Sequence, residues 1–376
     1  MTVSGAPRTV VVLLGPGVVA DAALLAEVTT DTCAALGVTG RLVRADTPAE
    51  VSQRLGEVAA DPTAVAVVLP GPVPAVRALA ERAGAADRTV WYDLSVVEPL
   101  PVAPGGVHLA GRGVFGLVWA IRHGYWRVAA PARRVWYGTH PEQWADLRLP
   151  ATAPPRGGAV LLHGGFWRSV WGADLMDALA VDLTRRGFVT WNLEYRRPDR
   201  FGWEVTAADV AAGLAHLATV PEVDPDRVAV LGHSAGGQLA LRAAADGVRV
   251  RVVVSLAGVL DLAEGDRREI GTGAVTAALA GGVADRPERY AAADPLARVP
   301  IGVRQLIVQG QQDDLDLIDF NRRYVAAARA AGDEVTYLEA PGDHFAVIDP
   351  AAPIWQQTVA RMETLLTGAG EQLRSG

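Results

Sequence analysis

Length, composition and charge already narrow the class of protein. The chain has 376 residues, 50% of them apolar, which suits two domains with substantial cores. A net charge of −7 and arginines scattered among acidic residues give no basic stripe for nucleic acid, and no apolar run reaches the roughly 18 residues of a membrane span. The single cysteine, Cys33, excludes an internal disulfide and a cysteine metal cluster. No charged-then-apolar leader opens the sequence, so we expect a cytoplasmic protein. The sequence has no His-Glu-x-x-His motif, no clustered histidines and carboxylates and no Walker-type loop, so we expect neither a metal nor a cofactor.

Residues 8–128 alternate apolar runs with helical patterns. The predicted strands are 9–14, 41–44, 64–69, 89–92 and 108–109, and the predicted helices are 21–36, 49–60, 74–83 and 114–127. Strands that alternate with helices indicate a parallel sheet covered on both faces, so we expect a small flavodoxin-like domain over residues 1–128. Cys33 lies in one of the helical patterns, where it is expected to be a buried apolar side chain.

Four short motifs in this region carry a family resemblance. They are Gly15-Pro16-Gly17, Leu69-Pro70-Gly71, Leu94-Ser95 and Gly111-Arg112-Gly113-Val114. On these motifs the region resembles type II 3-dehydroquinate dehydratase. Segment 18–25 has neither the arginine nor the tyrosine of that family's lid, and 72–76 lacks its catalytic histidine. Because proton abstraction needs such groups, we expect a catalytically inactive domain, and the trimers and dodecamers of that family predict self-association as a homo-oligomer.

The rest of the chain is expected to form a second α/β domain, residues 129–376. A connector is predicted over 130–135, followed by a pair of antiparallel edge strands within 135–149, where apolar and polar residues alternate. An alternation of strands and helices then resumes and runs to about residue 366.

The second domain is organised around Gly232-His233-Ser234-Ala235-Gly236. A β-branched run, 228–231, predicts a buried strand before this motif, and 238–245 predicts a helix after it. Gly-x-Ser-x-Gly between a strand and a helix is typical of a nucleophile elbow, a sharp and strained turn that exposes the serine hydroxyl. The glycines let strand and helix approach where a Cβ would clash. Ser234 is therefore the predicted nucleophile.

A glycine-containing loop precedes the elbow. The predicted strand 159–162 ends in His163-Gly164-Gly165-Phe166-Trp167. Acyl transfer to a serine passes through a tetrahedral oxyanion, which needs preorganised N–H donors. We expect the amides of Gly164, Gly165 and Ala235 to form this oxyanion hole, and His163 to brace the loop.

The acid and the base are expected after the next strands. Predicted strand 304–309 is followed by Asp313 and Asp314, which compete for the role of the acid, with Asp316 as a third choice. An acid there fixes the tautomer of a catalytic histidine. Predicted strand 334–339 is followed by His344, which occupies the position that the order Ser, Asp, His requires.

With these motifs assembled, residues 132–367 resemble the α/β-hydrolase superfamily, within its esterase/lipase-like and kynurenine-formamidase-like group. In that group the acid lies three residues after the glycine of the acid loop, which favours Asp313. The resemblance implies that His344 deprotonates Ser234, that Ser234 attacks an acyl carbon, and that Asp313 orients His344. The aromatic residues near the motifs predict a substrate pocket lined by Phe166, Trp167, Trp171 and Tyr195.

The predicted function is hydrolysis of a small or aryl carboxylic ester, with a small-molecule acyl substrate as the partner. An amidase, in particular an aryl formamidase acting on an N-formylkynurenine-like substrate, fits the motifs equally well. A third enzymatic interpretation is acyl transfer or cyclisation, in which an amine or a hydroxyl replaces water as the acceptor of the acyl group. A non-catalytic scaffold is the alternative from another class, and the complete set of serine, acid and histidine argues against it.

Overall fold

The computed structural model describes residues 6–82 and 84–367. The chain divides into two units, Met1–Ala132 and Arg133–Gly376. The sequence-based boundary, after residue 128, differs because the last helix of the first unit continues to Ala129. The predicted connector 130–135 is also too long, since a strand of the second unit already begins at Arg133.

Five strands in the described part of the first unit form a parallel sheet in the order β2-β1-β3-β4-β5, the order of flavodoxin-like folds. The elements are β1 (Thr9–Leu14), α1 (Ala22–Ala35), β2 (Thr39–Arg44), α2 (Pro48–Ala60), β3 (Ala64–Leu69), α3 (Pro74–Arg77), β4 (Thr89–Asp93), β5 (Val107–Ala110) and α4 (Gly116–Ala129). The helix predicted over 74–83 is shorter than expected, because a 3-10 turn, Ala78–Glu81, replaces its second half. Residue 83 lies outside the described residues.

The two faces of the first sheet explain its uninterrupted apolar strands. Val10 and Val12 of β1 pack into one core cluster, whereas Val11 and Leu13 pack into a second one. A strand that buries side chains on both faces needs apolar residues at every position, as is typical of parallel sheets. Cys33 is buried in the first cluster, where burial raises the pKa of its thiol to about 11, so the predicted inert role is confirmed.

Eight strands in the described part of the second unit form a mixed sheet in the order β13-β12-β11-β10-β8-β9-β7-β6. The strands are β6 (Arg133–Trp136), β7 (Trp144–Arg148), β8 (Gly157–Leu162), β9 (Phe188–Leu193), β10 (Val228–His233), β11 (Val252–Leu256), β12 (Arg304–Gly310) and β13 (Val335–Ala340). The helices are α5 (Asp177–Arg185), α6 (Pro198–Phe201), α7 (Trp203–Leu217), α8 (Ala235–Ala245), α9 (Leu262–Arg267), α10 (Ile270–Leu279), α11 (Pro287–Ala293), α12 (Leu315–Ala330) and α13 (Pro353–Thr367). The strands β6 and β7 pair antiparallel, which confirms the predicted pair.

The topology of the second sheet brings the functional loops together. The strands β8, β10, β12 and β13 all run parallel, and β8 is the direct neighbour of β10 in the register Leu161 to Leu231. Parallel strands end at the same edge of a sheet, where open α/β folds bind their ligands. The loops after these strands, which carry the predicted site residues, therefore share one edge. None of the helices described is long and apolar enough to cross a bilayer.

Candidate active site

Ser234 occupies the turn between β10 and α8. Its backbone has φ 54° and ψ −119°, a conformation that is strained for a residue with a Cβ. A Cβ on Gly232 would collide with the carbonyl of Gly236, and a Cβ on Gly236 would collide with the carbonyl of Leu162. The strained turn and the need for both glycines, as expected from the sequence, are confirmed.

The loop of residues 163–167, which we call the oxyanion loop after its predicted role, runs directly beside Ser234. A Cβ on Gly164 would lie 2.8 Å from the Cβ of Ser234, so glycine is required there as well. In the described part of the chain neither the Gly165 amide nor the Ala235 amide donates a hydrogen bond. Ala235 is also the first residue of α8, whose N-terminal end carries positive potential. These amides are the donors that the arrangement can offer to an oxyanion.

A buried ionic cluster supports the oxyanion loop. His163 Nδ1 donates to the Gly164 carbonyl at 2.8 Å, and its Nε2 lies 3.2 Å from Glu194 Oε1, so the expected bracing role is confirmed. Burial would raise the pKa of Glu194, but Arg197 and His163 outweigh that effect and lower it to about 2. Because C=O and N–H of a trans peptide point in opposite directions, fixing the Gly164 carbonyl also fixes the direction of the Gly165 N–H.

Asp313 and His344 form a hydrogen-bonded pair. His344 Nδ1 lies 3.0 Å from Asp313 Oδ2, which also accepts from Gln309 Nε2 at 2.8 Å. Burial would raise the pKa of Asp313, but the hydrogen bonds from His344 and Gln309 hold it below its usual value. An ionised Asp313 keeps the proton of neutral His344 on Nδ1 and leaves Nε2 free to act as a base.

The other two acids of this loop have different partners. Asp314 caps the N-terminus of α12 by accepting from the Asp316 amide at 2.8 Å, and Asp316 pairs with Arg268 at 2.7 Å. Asp313 is therefore the acid that the fold brings to His344. Among the described residues no hydrogen bond joins the Ser234 hydroxyl to His344, and such contacts often tighten only when substrate binds.

A cavity of about 470 Å³ opens beside His344. Its walls combine aromatic or aliphatic side chains with carboxylates, and they consist of Phe166, Ile270, Gly271, Gln312, Asp313, Asp314, Asp316, Leu317, Asp343, His344 and Phe345. The lining contains four aspartates and no arginine. Asp313 is paired with His344, and Asp316 is paired with Arg268. Asp314 and Asp343 are therefore the carboxylates of the lining that form no ion pair among the described residues.

The predicted pocket residues fall into two groups. Phe166 lines the cavity, whereas Trp171 packs against Gly165 and lies outside this lining. For Trp167 and Tyr195 the prediction is wrong, because both are buried in the core. Trp167 Nε1 donates to Gln238 at 3.1 Å, and Tyr195 stacks on His163 with ring centroids 4.4 Å apart. Their polar groups are satisfied inside the protein, so their rings support the oxyanion loop.

A larger depression of about 870 Å³ lies between α7 and α11, and none of the proposed catalytic residues lines it. Two ion pairs, Arg289–Glu204 and Arg242–Asp246, lie in its lining. The described residues contain no group of three or more histidine, cysteine or carboxylate side chains suited to a metal ion. The smaller cavity beside His344 is therefore the candidate substrate site.

Four residues that support the site were missed from the sequence. Gln309 donates to Asp313, Gln238 accepts from Trp167, Glu194 pairs with His163, and His233 donates to the His344 carbonyl. All four are polar side chains that the fold buries. Polar residues at the carboxyl ends of apolar strands, as in β10 and β12, are the signal that points to two of them.

Comparison with known proteins supports the fold. Residues 200–360 match the prolyl oligopeptidase family. The hydrolase LUC6 of Fusarium sp is 52% identical over 69 residues, and this match covers 18% of the chain and 16% of that protein's length. Esterase B of Lactobacillus rhamnosis superposes with a TM-score of 0.55 at 18% identity, over 64% of this chain and 87% of that one. A bacterial heroin esterase superposes with a TM-score of 0.53 at 21% identity, over 62% and 83% of the two chains.

The topology and the comparisons agree on the fold class of each unit. The second unit has the fold of the α/β-hydrolase superfamily, and the first unit is a smaller parallel α/β sheet. Residues 200–360, which match the prolyl oligopeptidase family, lie within this second unit.

Proposed function

We propose that the protein hydrolyses small or aryl carboxylic esters through Ser234, His344 and Asp313. The observation that carries this proposal is the hydrogen-bonded Asp313–His344 pair, which follows β12 and β13 at the same edge of the sheet as the strained Ser234 turn after β10. The two amides beside Ser234 supply the remaining requirement of serine acyl transfer, a preorganised site for negative charge.

The chemistry follows from the positions of these groups. His344 Nε2 takes the proton of the Ser234 hydroxyl as the oxygen attacks the acyl carbon. The Gly165 and Ala235 amides hold the resulting oxyanion, and Asp313 stabilises the protonated His344. When the tetrahedral intermediate collapses, His344 gives its proton to the leaving alcohol, and an acyl-enzyme remains. Water, deprotonated by His344, then releases the acid and restores Ser234.

The cavity indicates the size and polarity of the substrate. A volume of about 470 Å³ suits a small molecule, and Phe166 and Phe345 offer flat apolar surfaces on which an aryl group can stack. The negative potential of Asp314 and Asp343 disfavours substrates that carry a carboxylate near the scissile bond. We therefore propose neutral or cationic esters as the substrates.

The direct test is hydrolysis of p-nitrophenyl acetate and butyrate, together with labelling by a fluorophosphonate. Ser234→Ala is expected to lower kcat by about 10⁴-fold or more and to abolish labelling. Ser255→Ala is the matched control, because Ser255 is also buried and its hydroxyl has no hydrogen-bond partner among the described residues. Labelling that persists in Ser234→Ala but disappears in Ser255→Ala would contradict the proposal.

A second candidate is amide hydrolysis, including that of an aryl formamide. The match of residues 200–360 to the prolyl oligopeptidase family favours it, because the members of that family are classed as peptidases. Relative kcat/KM values for an aryl acetate and for N-formylkynurenine, measured on one preparation, distinguish the two. A higher value for the formamide would make the amidase the better description.

For the first unit we propose a non-catalytic role in self-association, as its resemblance to the dehydratase implies. Both ring nitrogens of His108 are engaged, Nε2 with Asp93 at 2.9 Å and Nδ1 with the Leu100 amide at 2.9 Å, so this ring offers no free base. Val96 and Phe115, which follow β4 and β5, are exposed apolar side chains. Light scattering of the full chain tests the proposal, and the double change Val96→Asp with Phe115→Glu should reduce the measured mass.

A further inference from the structure

His233, the residue before the nucleophile, contacts the loop that carries the base. It is the last residue of β10 and is 1% exposed. Its Nε2 donates to the main-chain carbonyl of His344 at 3.0 Å. Its ring also packs against the rings of His344 and Phe345, with centroid distances of 4.7 Å and 5.8 Å. One side chain therefore links the strand that presents Ser234 to the loop that presents His344.

The hydrogen bond fixes the tautomer of His233. A carbonyl oxygen only accepts, so the proton of the neutral ring must be on Nε2. Nδ1 then carries a lone pair, and it has no hydrogen-bond partner among the described residues. Burial lowers the pKa of His233 to about 3, with a further contribution from His344, so the ring stays neutral throughout the working range of pH.

The His344 loop needs such an anchor. Asp313 holds the ring of His344 through Nδ1, and Gln312 accepts from the Gly342 amide earlier in the loop at 2.5 Å. Neither contact joins the main chain of His344 to β10. His233 supplies that connection, because it holds the carbonyl of His344 and supports one face of the His344 ring.

We propose that His233 is a positioning residue that sets the placement of His344 relative to Ser234 by donating to the His344 carbonyl. It touches no reacting atom and acts through His344. The inference rests on the proposed roles of Ser234 and His344. Geometry of this kind affects the chemical step, and a misplacement of about 1 Å can cost roughly 10²-fold in rate.

Two substitutions separate the hydrogen bond from the packing. His233→Phe keeps an aromatic ring against His344 and Phe345 but removes the donor, whereas His233→Gln keeps an N–H at a similar reach. With p-nitrophenyl acetate, we expect His233→Phe to lower kcat by about 10- to 100-fold with KM changed by less than about twofold. We expect His233→Gln to recover kcat to within about threefold of the unmodified protein.

Two outcomes would overturn the inference. One is an unchanged kcat in His233→Phe. The other is an equal loss of kcat in His233→Phe and His233→Gln when both variants are folded. If the unmodified protein itself neither turns over the ester nor reacts with a fluorophosphonate, the proposed function fails first, and this result is distinct from the other two.

A spectroscopic measurement on the unmodified chain remains decisive if His233→Phe does not fold. In protein labelled with ¹⁵N-histidine, the His233 ring is assigned by its loss in His233→Gln. We expect a single Nε2–H tautomer that does not titrate between about pH 5 and 9. A proton on Nδ1, or titration within that range, would overturn the inference.

Discussion

Trp167 in the oxyanion loop donates its indole N–H to Gln238 on the helix that follows Ser234, at 3.1 Å. Gln238 lies one turn beyond Ser234 and is fully buried, and its amide in turn donates to the carbonyl of Ala293 at 2.7 Å. Trp167 has φ 56°, so its backbone conformation is strained and must be held by its surroundings. The contact with Gln238 supplies that restraint.

Trp167→Phe should therefore weaken the oxyanion hole. The change removes the indole donor and leaves the buried Gln238 oxygen without its partner, at a cost of about 1–3 kcal/mol in the free energy of unfolding. We expect kcat to fall about tenfold, because the loop relaxes from the strained conformation that presents the Gly165 amide. Steady-state kinetics with p-nitrophenyl acetate and guanidinium unfolding measure the two effects.

Trp191→Phe is the matched control for this change. Trp191 is also fully buried, but its indole N–H has no hydrogen-bond partner among the described residues. The Trp191→Phe variant should have a lower free energy of unfolding, because packing contacts are lost, without a comparable loss of kcat. Equal losses of kcat in the two variants would show that the hydrogen bond to Gln238 does not hold the loop.

The lowered pKa of buried Glu194 predicts that the free energy of unfolding depends on pH. Its pKa in the folded protein, about 2, lies below its ordinary value of 4.5, because Arg197 and His163 outweigh the effect of burial. The unfolded chain therefore binds the proton more tightly than the folded protein. The stabilisation, roughly 3 kcal/mol, is present above about pH 4.5 and is lost as the pH falls towards about 2.

Glu194→Gln tests this dependence. The variant should be less stable than the unmodified protein at pH 7, and the difference should shrink between about pH 4.5 and 2. Guanidinium unfolding at pH 7, 5 and 3 measures it. Glu264→Gln is the control, since Glu264 pairs with Arg267 near the surface, where solvent screens the interaction. A difference that stays constant from pH 7 to 3 would exclude the ionised Glu194 as its source.

Much of the site could be predicted because its requirements are local. A strand followed by Gly232-His233-Ser234-Ala235-Gly236 has few backbone solutions, and the glycines of the elbow are needed to avoid collisions within a few residues. The same is true of Gly164, which must approach Ser234 closely. The order of strands and helices could be predicted equally well from the sequence, because buried parallel strands require continuous apolar runs.

The features of the site that could not be predicted depend on the direction in which each side chain points, and tertiary packing determines that direction. Trp167 and Tyr195 lie next to the site in sequence, yet their rings point into the core and find partners on distant elements. Asp313 and Asp314 are neighbours on one loop, and their roles separate only because α12 begins at Leu315 and makes Asp314 its cap. The role of His233 depends on a loop 111 residues away in the chain.

The charge of the cavity should set the preference for substrate charge. Asp343→Asn combined with Asp314→Asn removes two negative charges, and both side chains keep the oxygen that accepts main-chain hydrogen bonds. We expect kcat/KM for an ester with a nearby carboxylate to rise about tenfold and that for a cationic ester to fall by a similar factor at low salt. Asp349→Asn is the control, because Asp349 caps a turn in the same way but lies outside the cavity lining. Equal effects on both substrates would exclude electrostatic selection.

The pair formed by Asp313 and His344 gives the most stringent test of the mechanism. Asp313→Asn places an amide N–H where His344 Nδ1 now finds an acceptor, so the histidine must move its proton to Nε2, and the base proposed for Ser234 is lost. We expect kcat to fall about 10³- to 10⁴-fold with little change in KM or in the free energy of unfolding. Asp319→Asn removes a charge from the same helix region, outside the cavity, and should leave kcat within about threefold. Because the loss comes from a wrong tautomer, a variant that keeps a tenth of the original kcat would show that another acid orients His344.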